Sequence, residues 1–393
     1  MDLDLTTTHA AAPSSEHERV RAAGPVVWSD ALNGWLISSY DDVKTVLSDA
    51  TAFANEGTPV AESFAPEAML VTDSPLHHKI RAVWARPTSL SAAARMDEPM
   101  QRIVDALLIP AARRLEAGES LDLVPLFESF TSEVITVLMD IPRDHRGDFQ
   151  RWNRMISDNA LLALEKDAPD NAGQIAKREV YAFLEAEAAN RRARLRAGDE
   201  PDDLVSLMVA AEGRNGITAS IALDNLVNLF LGALDTTVRW LGNIVVTLAR
   251  HPATRQQVRM DRSLLPQAAE EVMRLETVIQ LSQRIVRGDG VALRGQALRA
   301  GQNVYVLPGA ANRDPAVFAE PNRFDIHRKG KLHMGFGFGI HQCLGMNIAR
   351  QEAVVFIGRM FDLLPDLDIA DCRYGPTWSL WGPQALVVKA SSR

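Results

Sequence analysis

The chain of 393 residues carries 42 Lys and Arg against 50 Asp and Glu, which gives a net charge of −8. Its hydrophobic share of 47% and charged share of 23% are those of an ordinary globular protein, so the composition excludes a disordered or collagen-like chain. The acidic balance argues against nucleic-acid binding, which normally needs a basic excess. Two cysteines, Cys343 and Cys372, are too few for a disulfide scaffold or a zinc ribbon.

The chain shows no pattern typical of export or of membrane insertion. The first five residues are acidic and polar, without the basic and apolar regions of a signal peptide. The most apolar stretch, residues 221–249, contains Asp224, Asp235 and Arg239, which argue against a membrane span. We therefore expect a cytoplasmic protein that binds neither a membrane nor nucleic acid.

Residues 1–20, rich in Thr, Ala, Ser and Glu, predict a flexible arm, and residues 21–393 predict one domain. Two short apolar runs on either side of Asn33-Gly34 predict a hairpin, and residues 41–47 predict a short helix. Beyond them the apolar residues recur with a helical period. The helices predicted from that period cover residues 76–86, 97–117, 124–140, 145–163, 173–197, 202–212, 221–249 and 264–276.

The texture of the sequence changes after residue 284. Two strands are predicted there, at residues 284–294 and 303–307, and a turn-rich stretch follows at 313–339. One helix is predicted at residues 343–364 and a terminal hairpin at 378–390. The predicted fold class is therefore mainly α, with a small β portion built from both ends of the chain.

Cys343 lies in a segment that reads FGFGIHQCLG. The neighbouring Gly337, Gly339 and Gly345 allow a positive φ or a close approach to a flat group. An apolar helix follows, and the N–H groups at its start, which lack partners within the helix, would stabilise a thiolate. A thiolate in an apolar, glycine-lined loop suits a soft metal centre or haem iron.

Two alternatives remain for this cysteine on the residues alone. A buried cysteine can act as a small hydrophobic side chain, and Cys372, which lacks the glycines, is interpreted in that way. A nucleophilic cysteine assisted by His341 is a weaker alternative, since the two are only two residues apart and no oxyanion site is evident.

Two further patterns have ordinary explanations when they are taken alone. Glu271 and Arg274 share one helical face, a spacing that usually gives a solvated ion pair. The core helix contains the run GALDTT, in which a bond from Thr236 to the carbonyl of Gly232 would bend the helix without any chemistry.

The cysteine segment resembles the haem-binding loop of the cytochrome P450 family, Phe-x-x-Gly-x-x-x-Cys-x-Gly, filled here by Phe336, Gly339, Cys343 and Gly345. The resemblance extends over roughly residues 20–390 with the motifs in family order, and it implies a single P450-like domain with haem b. The residues that it assigns to the cofactor are Cys343 as axial iron ligand, Phe336 and Gly337 beside it, and His77, Arg81, Arg284 and His341 at the haem propionates.

The same resemblance gives the two ordinary patterns a role. Asp235 and Thr236 match the family's oxygen-activation motif and would deliver protons to iron-bound dioxygen, although Ala233 stands where glycine is usual. Glu271 and Arg274 match a motif that forms a buried network with an arginine or histidine of a downstream loop; the matching residue is Arg323.

The implied function is a monooxygenase that inserts one atom of O2 into a hydrophobic small molecule. Electrons would come from a separate ferredoxin and its reductase, docked on a basic face that includes Arg328, Lys331 and Arg350, and the protein is expected to be a monomer. A peroxide-driven haem-thiolate enzyme and a haem-thiolate sensor are the alternatives. The pocket residues expected by position are Phe64, Leu70, Asn228, Leu231, Ile279 and Leu380.

Overall fold

A computed structural model describes residues 13–58, 66–158, 171–330, 332–364, 366–375 and 380–391. Phe64 of the predicted pocket, Lys331 of the predicted docking face, residues 1–12 of the predicted arm and the first two residues of the predicted terminal hairpin lie outside these ranges.

Helices account for most of the described chain. They are α1 (Pro13–Ala23), α2 (Tyr40–Ser48), α3 (Leu76–Trp84), α4 (Leu90–Arg95), α5 (Asp97–Glu116), α6 (Val124–Leu138), α7 (Arg146–Asp158), α8 (Ala172–Ala197), α9 (Leu204–Ala210), α10 (Ala219–Arg250), α11 (Pro252–Met260), α12 (Leu265–Leu275), α13 (Pro308–Ala311) and α14 (Met346–Leu363). The strands are β1 (Val26–Ser29), β2 (Gly34–Ile37), β3 (Phe53–Ala54), β4 (Leu121–Asp122), β5 (Ser282–Val286), β6 (Val291–Leu293), β7 (Gln296–Leu298), β8 (Asn303–Val306), β9 (Leu367–Tyr374) and β10 (Pro383–Ala390).

The predicted mainly helical fold is confirmed, and the predicted helices appear with shifted ends. The predicted arm is wrong over residues 13–20, which belong to α1, because Val20 is buried against Leu36, Leu307 and Ala310. Between the predicted helices 221–249 and 264–276 lies a further helix, α11, which begins at Pro252 because proline is well placed in the first turn of a helix.

The predicted terminal hairpin is also wrong. The strand β10 pairs antiparallel with β9, which ends before the predicted hairpin begins, and with β4. The apolar residues Leu386 and Val388 of β10 are fully buried, and this strand lies between its two partners in the sheet. The resulting sheet has the order β4-β10-β9.

The chain forms two compact units. The first comprises the described residues up to 54 together with residues 96–130 and 236–393. It contains a five-stranded sheet of order β1-β2-β8-β5-β3, in which only β2 and β8 run parallel. Its apolar core includes Val43, Val304 and Met334, and α14 packs on α5 and α12.

The second unit comprises residues 55–95 and 131–235. Within it α8 packs against α7 and α9, and α9 packs against α3. The indole of Trp84 is fully buried and donates to the carbonyl of Leu204 at 2.9 Å. Arg191 on α8 is buried and binds Asp203, at 3.2 Å, and the backbone carbonyl of Asp140, at 2.6 Å.

Among the described residues, α10 is the one helix long and apolar enough to cross a membrane by length and composition. In its most apolar window 56% of the residues are buried inside the protein, and the core helix of a globular protein passes the same test. Its apolar character therefore follows from its place in the protein core.

Candidate functional site

The loop from Met334 to Gly345 is shaped by its own backbone. The amide of Cys343 donates to the carbonyl of Phe336 at 2.8 Å, and the amide of Gly337 donates to the carbonyl of Met334 at 2.9 Å. Gly337 and Gly339 both have φ of +72°, a conformation that other residues rarely adopt. A Cβ at Gly339 would also collide with the backbone carbonyl of Leu47 on α2. The loop therefore needs glycine here for backbone geometry and for close contact.

The thiol of Cys343 is exposed, which excludes the alternative of a buried structural cysteine. The helix α14 begins at Met346, slightly later than predicted, so Cys343 lies on the turn that leads into it. A Cβ built on Gly345 would meet no atom within 4 Å. The exposed thiol thus lies at the end of a narrow turn that is held by backbone hydrogen bonds.

An arginine and two aromatic rings surround the start of the loop. Phe336 packs edge to face on Trp240, with ring centroids 5.5 Å apart, and the guanidinium of Arg350 lies 4.9 Å from the centre of the Phe336 ring. Bonds to Glu270 raise the pKa of Arg350, and the negative charge of a Cys343 thiolate raises it further. Arg350 therefore contributes positive charge that favours the thiolate.

Glu270 holds Arg350 in that position. Its carboxylate accepts from Arg350 at 2.7 and 2.9 Å and is 3.2 Å from Nε2 of His333. Burial alone would raise the pKa of Glu270, but the bonds from His333 and Arg350 outweigh it and lower the pKa to about 2. Glu270 is thus ionised throughout the neutral range.

The predicted network of Glu271 and Arg274 is present, but its third member is Arg328. Arg274 binds the Glu271 carboxylate through two bonds of 2.8 Å, and Arg328 donates to the same carboxylate at 3.0 Å. The side chain of Arg323 instead pairs with exposed Glu320 at 2.7 Å, so its predicted role is wrong. Arg328 is accordingly a network residue, with 14% of its side chain exposed, rather than part of a docking face.

The same network fixes the turn-rich segment that leads to the cysteine loop. Arg274 donates to the carbonyl of Asn312 at 2.8 Å, and the Asn312 side chain accepts from the amide of Met334 at 2.6 Å. The carbonyl of Pro321 accepts from Arg274 at 2.7 Å. A buried charge on α12 therefore determines where the loop begins.

The middle of α10 carries the predicted proton-delivery residues. Asp235 and Thr236 are consecutive and both partly exposed. One turn earlier Gly232 is exposed although α10 is a core helix, and a Cβ built on it would meet no atom within 4 Å. This turn of α10 therefore carries an exposed glycine beside two partly exposed polar side chains.

Thr237, next to the predicted pair, faces the protein interior and contacts an acid that the sequence did not reveal. Its hydroxyl lies 3.4 Å from the carboxyl of Glu352 on α14. Burial raises the pKa of Glu352 to about 8, because the charged form lacks water and has no cationic partner among its named contacts. Glu352 directly follows Arg350 and Gln351 in the sequence, so no local pattern marks it as a buried acid.

The residues predicted to bind haem propionates lie on three elements. His77 on α3 is fully buried, and Arg81 follows one turn later in the same unit. Arg284 on β5 is buried and donates to the carbonyl of Gln283 at 2.7 Å. His341 belongs to a short 3₁₀ turn, Gly339–His341, two residues before Cys343.

The predicted pocket residues fall into two groups. Ile279 and Leu380 are paired by an antiparallel bridge in the first unit, and Ile279 is 38% exposed. Leu70, 45% exposed, and the partly exposed Asn228 and Leu231 of α10 belong to the second unit. The exposure of these apolar side chains is consistent with a surface that receives an apolar ligand.

The side chains present fit a haem. An exposed thiol at the end of a glycine-turned loop suits the iron, and the positive charge of Arg350 favours its thiolate form. Arg284 and His341, in the same unit as Cys343, are hydrogen-bond donors of the kind that a carboxylate needs.

Comparison with known proteins points the same way. The chain is 29% identical to the 20-oxo-5-O-mycaminosyltylactone 23-monooxygenase of Streptomyces fradiae, over 96% of this chain and 89% of that enzyme. The crystal structure of P450BioI with a hexadec-9Z-enoic acid ligated acyl carrier protein superposes with a TM-score of 0.85 at 25% identity, over 96% and 98% of the two chains. CYP109E1 from Bacillus megaterium in complex with testosterone gives a TM-score of 0.85 at 26% identity, over 97% and 98%.

The family model described as Cytochrome P450 matches residues 28–364, most of the chain. Members of that family bind haem through a cysteine thiolate. Several relatives of this chain are named as monooxygenases. The chain therefore belongs to the cytochrome P450 family of haem-thiolate monooxygenases.

Proposed function

We propose that this monooxygenase inserts one atom of O2 into a hydrophobic small organic molecule, with electrons from a separate ferredoxin and its reductase. The observation that carries the proposal is the exposed Cys343 thiol on its glycine-turned loop beside the charge of Arg350. A thiolate ligand favours cleavage of the O–O bond, whereas a neutral ligand would not push electron density in this way.

Each cofactor contact is assigned to a side chain of this chain. The Cys343 thiolate binds the iron, and Phe336 and Gly337 pack beside it. His77, Arg81, Arg284 and His341 donate to the two propionates, because a haem whose ring is buried needs its acid edge paired. Arginine, which is always cationic, and histidine in its neutral or charged form can each donate a hydrogen bond to a carboxylate.

When bound, the haem supplies the reductive activation of dioxygen. Each turnover takes up two electrons and two protons; one oxygen atom enters a C–H bond of the substrate and the other leaves as water. Thr236 holds a proton at Oγ1, and the Asp235 carboxyl supplies the next one from the solvent side. Their adjacent, partly exposed positions on α10 support this division of work.

The substrate is proposed to be largely apolar, with one polar group. Leu70, Leu231, Ile279 and Leu380 offer apolar contacts, and Asn228 offers an amide for orientation. The relatives named above act on or bind a glycosylated tylactone, a C16 fatty acid on its carrier protein, and testosterone. These ligands share a large apolar part, which supports the proposed class.

The electron donor is proposed to be an acidic ferredoxin that docks near Cys343. Arg350 supports this proposal, since its side chain remains 36% exposed while it faces the thiolate. The protein is proposed to act as a cytoplasmic monomer.

The replacement Cys343→Ala tests the proposal. The reduced, carbonmonoxy-bound wild type should show the strongly red-shifted Soret band of a thiolate ligand, and Cys343→Ala should lose that shift. Cys372→Ala is the matched control, because Cys372 lies on β9 with its pKa raised by burial, and it should keep the shift.

Turnover assays then test which electron donor and which oxidant the enzyme uses. Substrates are first found by their shift of the resting absorption band, and their oxidation is measured with a ferredoxin and reductase under O2, and with hydrogen peroxide alone. Product in the peroxide reaction only would support the peroxide-driven alternative. A red-shifted band that survives Cys343→Ala would contradict the ligand assignment.

A further inference from the structure

Trp381 lies beside the paired pocket residues Ile279 and Leu380. The antiparallel bridge joins Ile279 to Leu380, and the amide of Trp381 donates to the carbonyl of Val278 at 2.7 Å. Residues directly opposite each other in an antiparallel pair have their side chains on the same face. Ile279 and Leu380 therefore form one apolar edge whose spacing depends on how the two chain segments are held.

Asn243 holds both segments from α10. It is fully buried, and its side-chain NH2 group donates to the carbonyl of Glu276 at 3.1 Å and to the carbonyl of Trp381 at 3.0 Å. Its side-chain oxygen accepts from the hydroxyl of Tyr374 at 3.3 Å. One amide thus connects the end of α12, the turn before β10 and the end of β9.

The side chain of Trp381 adds a second connection. Its indole N–H donates to the carboxylate of Glu276 at 2.8 Å. Its ring stacks on Tyr374, with centroids 4.2 Å apart and an angle of 25° between the planes. Burial raises the pKa of the Tyr374 hydroxyl, so this group remains a neutral donor to Asn243.

The turn before β10 cannot slide along α10. A Cβ on Gly382 would collide with Arg239, and a Cβ on Gly242 would collide with the ring of Pro383. Arg239 also donates to the carbonyl of Gly382 at 3.2 Å. The two glycines let the backbone approach α10 at a single register, and the bonds of Asn243 and Trp381 keep it there.

We propose that Asn243, Glu276 and Trp381 form a clasp that sets the spacing of Ile279 and Leu380, and that the clasp selects substrates by the shape of their apolar part. These are positioning residues, since they act through Ile279 and Leu380. The proposal rests on the proposed function, because it assumes that this edge contacts the substrate. A rigid apolar wall discriminates ligands that differ by one methylene about 10-fold or more.

The test uses Trp381→Phe, which removes the indole N–H and keeps a ring to stack on Tyr374. Trp28→Phe is the matched control, since the indole of Trp28 on β1 also donates to a carboxylate, that of exposed Asp30, at 3.0 Å. Glu276→Gln is a milder second variant, because an amide oxygen still accepts the indole bond. The probes are 1-alkylimidazoles from methyl to decyl, titrated by their shift of the absorption band in the haem-loaded protein.

Hydrogen exchange of the haem-loaded proteins gives a readout that does not depend on turnover. In Trp381→Phe the amides of residues 380–382 should exchange faster, and the affinity for 1-methylimidazole should stay within about twofold of wild type. The ratio of affinities between long and short probes should fall about 5-fold or more, since a loosened edge discriminates less. Trp28→Phe should match wild type, and Glu276→Gln should lie between the two.

A ratio within about twofold of wild type in Trp381→Phe, with faster exchange at residues 380–382, would show that the clasp is only structural and would overturn the proposal. Unchanged exchange would overturn it as well, because the edge would then be held without Trp381. A wild type that shows no azole shift would instead overturn the proposed function, and this proposal with it.

Discussion

The cysteine loop and the segment 66–72 are both irregular chain beside predicted site residues, but bonds from distant side chains contribute more to the segment 66–72 than to the loop. The cysteine loop is held by bonds within itself, such as that from the Cys343 amide to the Phe336 carbonyl. The segment 66–72 is held by side chains distant in sequence: Asp224 accepts from the amide of Glu67 at 2.9 Å, and Asn225 accepts from the amide of Met69 at 2.8 Å.

The second region depends on several partners at once. Asn225 also donates to the carbonyl of Glu67 at 3.1 Å, and Asp224 accepts from the hydroxyl of Tyr181 on α8 at 2.9 Å. The ring of Tyr181 packs against buried Ala68 and Val71. A loop held by its own backbone leaves a local sequence motif, whereas a segment held from two helices leaves none.

The largest expected effect comes from removing the buried charge that supports the cysteine loop from outside. Glu271→Gln leaves Arg274 and Arg328 without their carboxylate, and breaking a buried pair in this way typically costs about 3–5 kcal/mol. The free energy of unfolding in urea should fall by that amount, and haem should be retained less well, because Arg274 positions Asn312 and through it Met334.

Glu320→Gln is the matched control for this variant. It breaks the exposed pair with Arg323, both side chains being more than half exposed, so the expected loss is below about 1 kcal/mol. A loss in Glu271→Gln no larger than in Glu320→Gln would mean that the loop is determined by its local bonds alone.

An effect of intermediate size on the free energy of unfolding is expected at Glu352, a residue of α14 that contacts Thr237 of α10, distant in sequence. Because burial raises the pKa of Glu352 to about 8, this group contributes stability below its unfolded pKa and loses it as the pH rises through 8. From about pH 6 to pH 9 the wild type should lose roughly 2–3 kcal/mol more than Glu352→Gln. Urea denaturation over this pH range measures the difference, and parallel curves for the two proteins would refute the buried neutral acid.

The elements of the fold could be predicted where the signal is local. Helical periodicity indicates α5, α8 and α10, and Asn33-Gly34 indicates the β1–β2 hairpin. The terminal hairpin was predicted with wrong bounds, because its first strand, β9, lies before the predicted range. The pairing of β10 with β4 joins segments that are distant in sequence, which periodicity does not report. The same reason applies to α1, whose polar surface concealed the buried Val20.

In the candidate site, too, the features with a local sequence signal could be predicted and those that depend on packing could not. The motif around Cys343 predicted the glycine turns that the structure contains, because a backbone with positive φ favours glycine, and glycine is visible in the sequence. The third member of the Glu271 network was assigned to Arg323 by position, yet Arg328 is the residue whose side chain reaches inward. Spacing identifies which segment supplies an arginine, but the direction of a side chain on an irregular segment depends on its packing.

The smallest expected effect concerns the segment 66–72. Tyr181→Phe removes one hydroxyl bond to Asp224 and keeps the ring that packs on Ala68 and Val71, so about 1 kcal/mol of local stability should be lost. Hydrogen exchange at the amides of Glu67 and Met69 should rise about 5-fold, which corresponds to that energy. Tyr40→Phe is the control, because it removes a hydroxyl bond to the carbonyl of Leu332 in the first unit. Equal exchange at these amides in both variants would mean that Asp224 holds the segment without Tyr181. A selective rise in Tyr181→Phe would show that α8 and α10 hold this segment together, unlike the self-bonded cysteine loop.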